Sequence, residues 1–211
     1  MYIPRYYREE DRLKIIEFMR AHEFATLVAV EKGKPLASQL LMEVVEEDGQ
    51  LLINGHMSRT NPLWKLFETG VEVLVIFQGP HAYISPTWYN HLNVPTWNYQ
   101  SVHAYGVPQI LTDPAGYRAM LARLVERHEG SSAYRLEGLP QDFVEKNMAG
   151  TVGFQIPVSR LEAAFKLSQN RDDQDYRNII LQLETRQDDL STGVAQAMRK
   201  NRRVDETPPS D

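Results

Sequence analysis

The segment Asn54–Pro62 places a serine and an arginine directly ahead of the start of a predicted helix. Asn61 supplies a capping side chain, and Pro62 occupies the first helical position, where proline is well tolerated. Ser58 and Arg59 would add a hydroxyl and a guanidinium beside the unpaired N–H groups of the helix start. Such groups bind phosphate. The pattern fits equally a plain helix start preceded by an exposed arginine, and both interpretations stay open.

A second candidate region is the aromatic-rich stretch Phe77–Tyr99, which contains Trp88 and Trp97, two of the three tryptophans. Residues 86–98 show neither strand nor helix periodicity, so we predict a long loop, a kind of segment that often carries function. Exposed aromatic rings on a loop offer a flat surface to a planar ligand or to a partner subunit. A hydrophobic cluster that covers a barrel mouth would explain the same composition.

A third candidate is Lys166–Arg171, where two cations and two amides follow a predicted strand. These groups could hold an anionic or amide-rich ligand, or form a solvated turn that Asn170 caps. Other chemistry is missing from the sequence: no dinucleotide-binding glycine motif, P-loop, nucleophile elbow or paired-histidine zinc motif occurs. There is no cysteine, and the six histidines lack metal-ligand spacing, so we predict no metal site.

Composition narrows the class of protein further. The 211 residues include 23 Lys and Arg against 28 Asp and Glu, a net charge of −5, which argues against general nucleic-acid binding. The cluster Arg199, Lys200, Arg202 and Arg203 is a candidate DNA contact, or the end of a helix that offsets its own dipole. The longest apolar run, 73–77, is far too short to span a membrane, and Met1–Arg5 is no signal peptide. We therefore expect a cytoplasmic protein without membrane contact.

Hydrophobic periodicity and turn residues predict a mainly β protein with peripheral helices. The predicted strands are 24–30, 36–45, 51–53, 71–77, 82–85, 101–111 and 152–167, the last broken at Pro157. The predicted helices are 9–19, 62–70, 114–130, 141–147 and two amphipathic helices between 176 and 198. The first three strands, joined by short polar turns, form a meander, so we expect a closed antiparallel barrel. It should span residues 1–170, followed by a helical extension with a disordered tail, 171–211.

Five sequence blocks lie in order along nearly the whole chain: Met1–Pro4, Gly55–Pro62, Phe77–Pro86, Val94–Tyr99 and Lys166–Asn170. Together they resemble the PaiB-type family of FMN-binding negative transcriptional regulators. The flavin half of the pyridoxamine-phosphate oxidases is more distantly similar over residues 24–77.

The resemblance implies an antiparallel split β-barrel that forms a homodimer with FMN at the subunit interface. Ser58 and Arg59 would bind the FMN phosphate, the backbone of 37–40 would follow the isoalloxazine edge, and Trp97 would cover the flavin from the partner subunit. The cofactor-binding residues implied are Ser38, Gln39, Leu40, His56, Met57, Ser58, Arg59, Asn61, Gln78, Trp97, Lys166 and Gln169.

Two departures from the oxidase pattern predict that FMN is held weakly. Thr60 stands where those enzymes have a phosphate-binding lysine, and 38–42 lacks their arginine and lysine. Each charge-assisted contact contributes about 1.5–3 kcal/mol, so their loss weakens the binding of a dianionic phosphate. Because no Arg–Lys cluster could bind a substrate phosphate either, we do not expect pyridoxamine-phosphate oxidation.

The resemblance implies an FMN-binding negative transcriptional regulator, with DNA as a possible partner although no helix-turn-helix motif is evident. The alternative is a flavin-dependent oxidoreductase that uses NAD(P)H and a small acceptor, because the flavin itself carries that chemistry. His56 and His81 are then the only acid–base candidates, and no catalytic residue is assigned. A third alternative keeps the fold without flavin, as a small-ligand or haem-related binding module.

Overall fold

The computed structural model describes residues 1–202, which contain seven β-strands and five α-helices. The strands are β1 Phe24–Glu31, β2 Lys34–Glu47, β3 Gln50–Ser58, β4 Val73–Ile84, β5 Thr96–Gly106, β6 Gln109–Ile110 and β7 Thr151–Lys166. The α-helices are α1 Arg12–Ala21, α2 Pro114–Glu129, α3 Gln141–Ala149, α4 Asp173–Thr185 and α5 Asp189–Asn201. Short 3-10 helices span Arg5–Tyr7, Pro62–Thr69, Pro86–Trp88 and Leu136–Gly138. The predicted tail, 207–211, lies outside the described residues.

Two tight hairpins produce the meander β1–β2–β3. Lys32 and Gly33 connect the first pair with φ of 50° and 79°, and Asp48 and Gly49 connect the second with φ of 49° and 80°. A two-residue hairpin turn with both φ values positive matches the right-handed twist of the flanking strands, and glycine adopts it without strain. The predicted meander is confirmed.

The strands form one sheet in the order β3-β2-β1-β4-β5-β7-β6, with an additional pairing of β3 and β7. That pairing runs antiparallel from Leu52 opposite Pro157 to Ser58 opposite Thr151. Six strands therefore form a closed cycle of pairings, and β6 joins the cycle through β7. This connectivity is what the sequence predicted for an antiparallel barrel.

The chain divides into two compact units, neither of which is continuous in sequence. The meander unit comprises 19–77 and 103–161, and its core includes Leu27, Ile53 and Phe154. The terminal unit comprises 1–18, 78–102 and the described chain from residue 162, and its core includes Tyr176 and Met198. The boundary expected between residues 170 and 171 is a different division and stays a prediction.

Several predicted strands differ from those in the structure. The strand predicted at 101–111 is divided into β5, which ends at Gly106, and β6, Gln109–Ile110. β3 continues through Gly55 to Ser58, because glycine serves there for close packing: a Cβ would lie 2.6 Å from Phe154 Cζ. The strands predicted at 71–77 and 82–85 are the single strand β4. β7 passes Pro157 without a break, since one missing N–H removes only one hydrogen bond from the ladder.

The predicted loop 86–98 is also shorter than expected. Ser85 caps the 3-10 helix Pro86–Trp88 by accepting a hydrogen bond from Thr87 N at 3.3 Å, and β5 already begins at Thr96. Residues 89–95 alone are irregular in that stretch. The helix that follows Asp113 is confirmed, with Asp113 accepting hydrogen bonds from Ala115 N and Gly116 N.

Candidate flavin-phosphate turn and flanking site

A polar turn follows β3 in the meander unit. Ser58 ends the strand, and its Oγ lies 2.8 Å from Thr60 Oγ1 while it accepts a 3.3 Å hydrogen bond from Thr60 N. Both side chains are exposed. Two hydroxyls that share one hydrogen bond keep a second O–H free to donate, so the pair can bind an anion oxygen.

Arg59, which lies between these two residues in sequence, is held in place by backbone carbonyls. Its Nε donates to the carbonyl of Ala149 at 3.0 Å and its Nη2 to that of Thr151 at 3.1 Å, while its backbone N–H donates to Gly150 O at 2.9 Å. No hydrogen bond from a described residue engages Nη1. The guanidinium is therefore held in one orientation with donors to spare for an anion. Carbonyl groups carry no sequence signal, and the supporting residues around Ala149 and Thr151 were missed.

Asn61 connects the turn to β2. Its Oδ1 accepts a hydrogen bond from Leu63 N at 3.0 Å and so caps the 3-10 helix Pro62–Thr69, which ends at Gly70 with φ of 71°. Its Nδ2 donates to Ser38 Oγ at 2.9 Å. The structure thus brings together two predicted site residues, Ser38 and Asn61, that are 23 positions apart.

The first half of β2 has one open edge. Residues 34–41 pair with β1 in full register, whereas β3 pairs only with 42–47. No strand of the described chain pairs with the other edge of 34–41, so alternate N–H and C=O groups there are available to a ligand. Gln39 accepts a hydrogen bond from Thr26 Oγ1 at 2.7 Å, and Leu40 stands opposite the buried Ala25.

The remaining predicted site residues of the meander unit lie on opposite faces of the sheet, because side chains alternate along a strand. Ser38 stands opposite Leu27 and shares the inner face of the sheet with it. Met57 also points inwards and is 2 % exposed. His56 points to the outer face, where it lines a cavity beneath α2 and α3. The structure therefore does not bring His56 to Ser38. Burial lowers the pKa of His56, which keeps its imidazole neutral at neutral pH.

A buried carboxylate that sequence reasoning missed fastens α2 to the same outer face. Glu43 accepts two hydrogen bonds from Arg123, at 2.7 and 2.9 Å, and a third from Asn54 at 2.9 Å. Gln155 extends the network by donating to Asn54 Oδ1 at 3.0 Å. Burial raises the pKa of Glu43, but the hydrogen bonds from Arg123 and Asn54 outweigh burial and lower it. An acidic residue between two apolar ones in a strand was the available signal.

Four predicted residues lie in the terminal unit. Trp97 is 52 % exposed, and its ring lies 5.9 Å from that of His81 and 6.2 Å from that of Tyr83. Lys166 Nζ donates to Thr96 Oγ1 at 2.5 Å, and burial, then Arg171, lowers its pKa. Gln78 is exposed. Gln169 folds back on its own turn, where Oε1 accepts from Leu167 N at 2.8 Å.

The predicted basic cluster at the chain's end is engaged in ion pairs. Arg199 bonds Glu184 at 2.9 and 3.2 Å, Lys200 lies 3.2 Å from Glu17, and Arg202 pairs with Asp173. The cluster's last member, Arg203, lies outside the described residues. Exposed pairs of this kind contribute little and can exchange for other anions. Over residues 1–202 we find no group of three potential metal ligands and no helix long and apolar enough to cross a membrane.

Comparison with known proteins identifies the relatives of this chain. Residues 1–160 match the family described as "Putative FMN-binding domain". The protease synthase and sporulation protein PAI 2 of Bacillus subtilis is 40 % identical over 200 residues, which are 94 % of this chain and 96 % of that protein. Among solved structures, the flavocytochrome Anf3 from Azotobacter vinelandii superposes with a TM-score of 0.62 at 17 % identity, covering 83 % of this chain and 78 % of that one.

A second solved structure, the FAD and haem binding protein from Mycobacterium smegmatis, has a TM-score of 0.61 at 16 % identity over 81 % of this chain and 79 % of that one. These similarities confirm the predicted split-barrel fold, the PaiB-type resemblance and FMN as the cofactor. The residues present fit the cofactor: the exposed hydroxyl pair and the fixed guanidinium suit a phosphate, and the open edge of β2 suits a polar ring edge.

Proposed function

This chain belongs to the FMN-binding domain family, and from that premise we propose that it is a dimeric, FMN-binding negative transcriptional regulator. The observation that carries the proposal is the turn Ser58–Asn61, which joins one oriented guanidinium and two hydroxyls to β2 through the Asn61–Ser38 hydrogen bond. Similarity over nearly the whole chain to the protease synthase and sporulation protein PAI 2 supports the regulatory part.

In this proposal the chain holds FMN by its two ends. Ser58, Thr60 and Arg59 bind the phosphate, while backbone groups along 37–40 hydrogen-bond the polar edge of the isoalloxazine. Asn61 is a positioning residue, since it fixes the distance between these two contacts by capping the helix and bonding Ser38. With only one cation in the turn, we expect FMN to dissociate more readily than from a site with several.

The residues of the terminal unit supply the remaining contacts in the proposed dimer. Trp97 offers a half-exposed ring to the flavin of the partner subunit, and ring stacking excludes water from one face of a planar ligand. Gln78, Lys166 and Gln169 would complete the polar contacts. When bound, FMN supplies a group that accepts and releases electrons, which lets a regulator respond to redox state.

Selection of genomic DNA by the full-length protein tests the regulatory part. FMN-loaded and FMN-free protein would be incubated with sheared DNA of the source organism at physiological salt, and the bound fragments sequenced. Enrichment of a few upstream regions, changed by FMN, is the expected result. Uniform recovery of all fragments at both flavin states contradicts direct repression, since salt-sensitive binding without preference is the ordinary electrostatic background.

The alternative is a flavin-dependent oxidoreductase, and single-turnover kinetics separates it from a regulator. If the chain is a regulator, we expect NADH and NADPH to reduce the bound FMN no faster than they reduce free FMN. Reduction much faster than that of free FMN would favour the oxidoreductase instead. Size-exclusion chromatography coupled to light scattering tests the dimer in the same samples.

A further inference from the structure

A cavity of about 260 Å³ lies in the meander unit on the outer face of β3, beneath α2 and α3. Its walls are mostly apolar, and no lysine, arginine or carboxylate lines it. The main apolar lining residues are Leu121, Leu136, Leu139, Phe143, Val144 and Met148. A partly open pocket with such walls favours neutral, apolar molecules over charged ones.

Several polar groups that line the cavity are hydrogen-bonded to neighbouring residues. Tyr117 OH lies 2.6 Å from Thr151 Oγ1, which donates to Met148 O at 3.0 Å. Asn147 Nδ2 donates to Phe143 O at 2.7 Å. His56 also lines the cavity, and its imidazole makes no hydrogen bond to any residue that the structure describes. A polar group without a partner in an apolar pocket is costly, so a ligand that hydrogen-bonds to it gains affinity.

Close packing keeps the cavity's wall in place. Tyr117 lies against Gly153, where a Cβ would come within 2.5 Å of the ring, so the ring occupies space that only glycine leaves open. Its hydroxyl bond to Thr151 fixes the ring's other end. Because the wall is preformed, binding need not pay to order it.

We propose that this cavity binds a small, neutral, ring-containing molecule with a hydroxyl or amide group that hydrogen-bonds to the imidazole of His56. Its volume lies below the roughly 300–1,000 Å³ of sites for drug-sized ligands, and above the roughly 150 Å³ that accommodates a single benzene ring. A two-ring molecule therefore fits. FMN is both too large and too highly charged, so this ligand is a second one, distinct from the flavin.

Calorimetric titration with 2-naphthol and naphthalene tests the proposal on the full-length protein. The two probes share one shape and differ by the hydroxyl. We expect wild type to bind 2-naphthol about five- to tenfold more tightly than naphthalene, the value of one net hydrogen bond. His56→Leu keeps the apolar walls and should bind both probes equally. Leu139→Trp fills the cavity and should bind neither, with a circular dichroism spectrum like that of wild type.

The same titrations with FMN present separate this site from the flavin site. We expect the affinity for 2-naphthol to change less than twofold, because none of the groups proposed to contact FMN lines the cavity. Three results would overturn the proposal: no saturable binding of either probe to wild type, an unchanged preference for 2-naphthol in His56→Leu, or displacement of the probe by FMN. None of these bears on whether FMN binds at Ser58 and Arg59.

Discussion

The turn Ser58–Asn61 and the cavity around His56 are neighbours on β3 with opposite chemistry. Ser58 and His56 lie two residues apart on the same face, yet the first is exposed among hydroxyls and a guanidinium, and the second is covered by apolar helices. Thr151 takes part in both, since its carbonyl accepts from Arg59 and its hydroxyl bonds Tyr117. The environment of each residue depends here on which elements pack over the strand. The alternation of residues along the strand does not show this.

The helix that covers the cavity depends on Glu43, and removing that carboxylate should have the largest effect. Glu43→Ala removes the acceptor of the half-exposed Arg123 and of the buried Asn54 amide, and we expect the free energy of unfolding to fall by about 1.5–3 kcal/mol. Urea denaturation measures the change, with the exposed Glu68→Ala as control. A loss below about 0.5 kcal/mol would show that α2 is held by its apolar contacts alone.

In the exposed turn, two variants of Asn61 separate its role as a helix cap from its hydrogen bond to β2. Asn61→Ala removes both and should cost about 1 kcal/mol of stability. Asn61→Asp keeps the acceptor that caps Leu63 N but loses the donor to Ser38, so it should recover most of the stability and bind FMN more weakly than wild type. Equal FMN affinity in Asn61→Asp and wild type would remove Asn61 from the positioning role.

Acid should destabilise the folded chain through His56, and we expect this effect to be smaller than that of Asn61→Ala. Burial lowers the pKa of His56 below its ordinary value of 6.5, so between the two values the unfolded chain binds more protons than the folded one. Stability is therefore full above pH 6.5 and falls as the pH drops through the folded-state pKa. Denaturation midpoints from about pH 7 to 5 should show a shallower fall in His56→Leu.

A second histidine also contributes to the pH dependence of stability. His22, whose pKa burial lowers as well, should account for part of the fall that remains in His56→Leu. A wild-type midpoint that does not change over this range would contradict the burial of a neutral imidazole in the cavity.

The elements that sequence reasoning predicted well are those specified by adjacent residues. The turns at Gly33 and Gly49 and the caps at Asn61 and Asp113 are local, because a positive φ or a side chain two residues away determines them. The limits of β3, β4 and β7 were wrong because pairing with neighbouring strands keeps the glycine and proline residues in these segments extended.

In the candidate site, too, residues close in sequence were predicted, whereas groups that only the fold brings together were not. Ser58, Arg59 and Asn61 were predicted from a short motif, and the contact of Asn61 with Ser38 fits it. The carbonyls of Ala149 and Thr151 that orient Arg59 were not predictable, because any residue can supply a carbonyl and only the fold brings it near. The cavity was missed for a related reason: its lining comes from β3, β7, α2, α3 and the segment between these two helices, which share no motif.

The central claim is that Arg59 binds the phosphate of FMN, and a comparison of FMN with riboflavin tests it most directly. Riboflavin lacks only the phosphate, so the ratio of the two dissociation constants isolates that contact, and riboflavin affinity reports whether the rest of the site is intact. Fluorescence quenching in wild type and Arg59→Ala, with the exposed Lys65→Ala as control, gives the ratios. We expect Arg59→Ala to lower the preference for FMN by about ten- to 150-fold, corresponding to about 1.5–3 kcal/mol, with riboflavin affinity unchanged. A preference for FMN that is the same in Arg59→Ala and wild type would contradict the account.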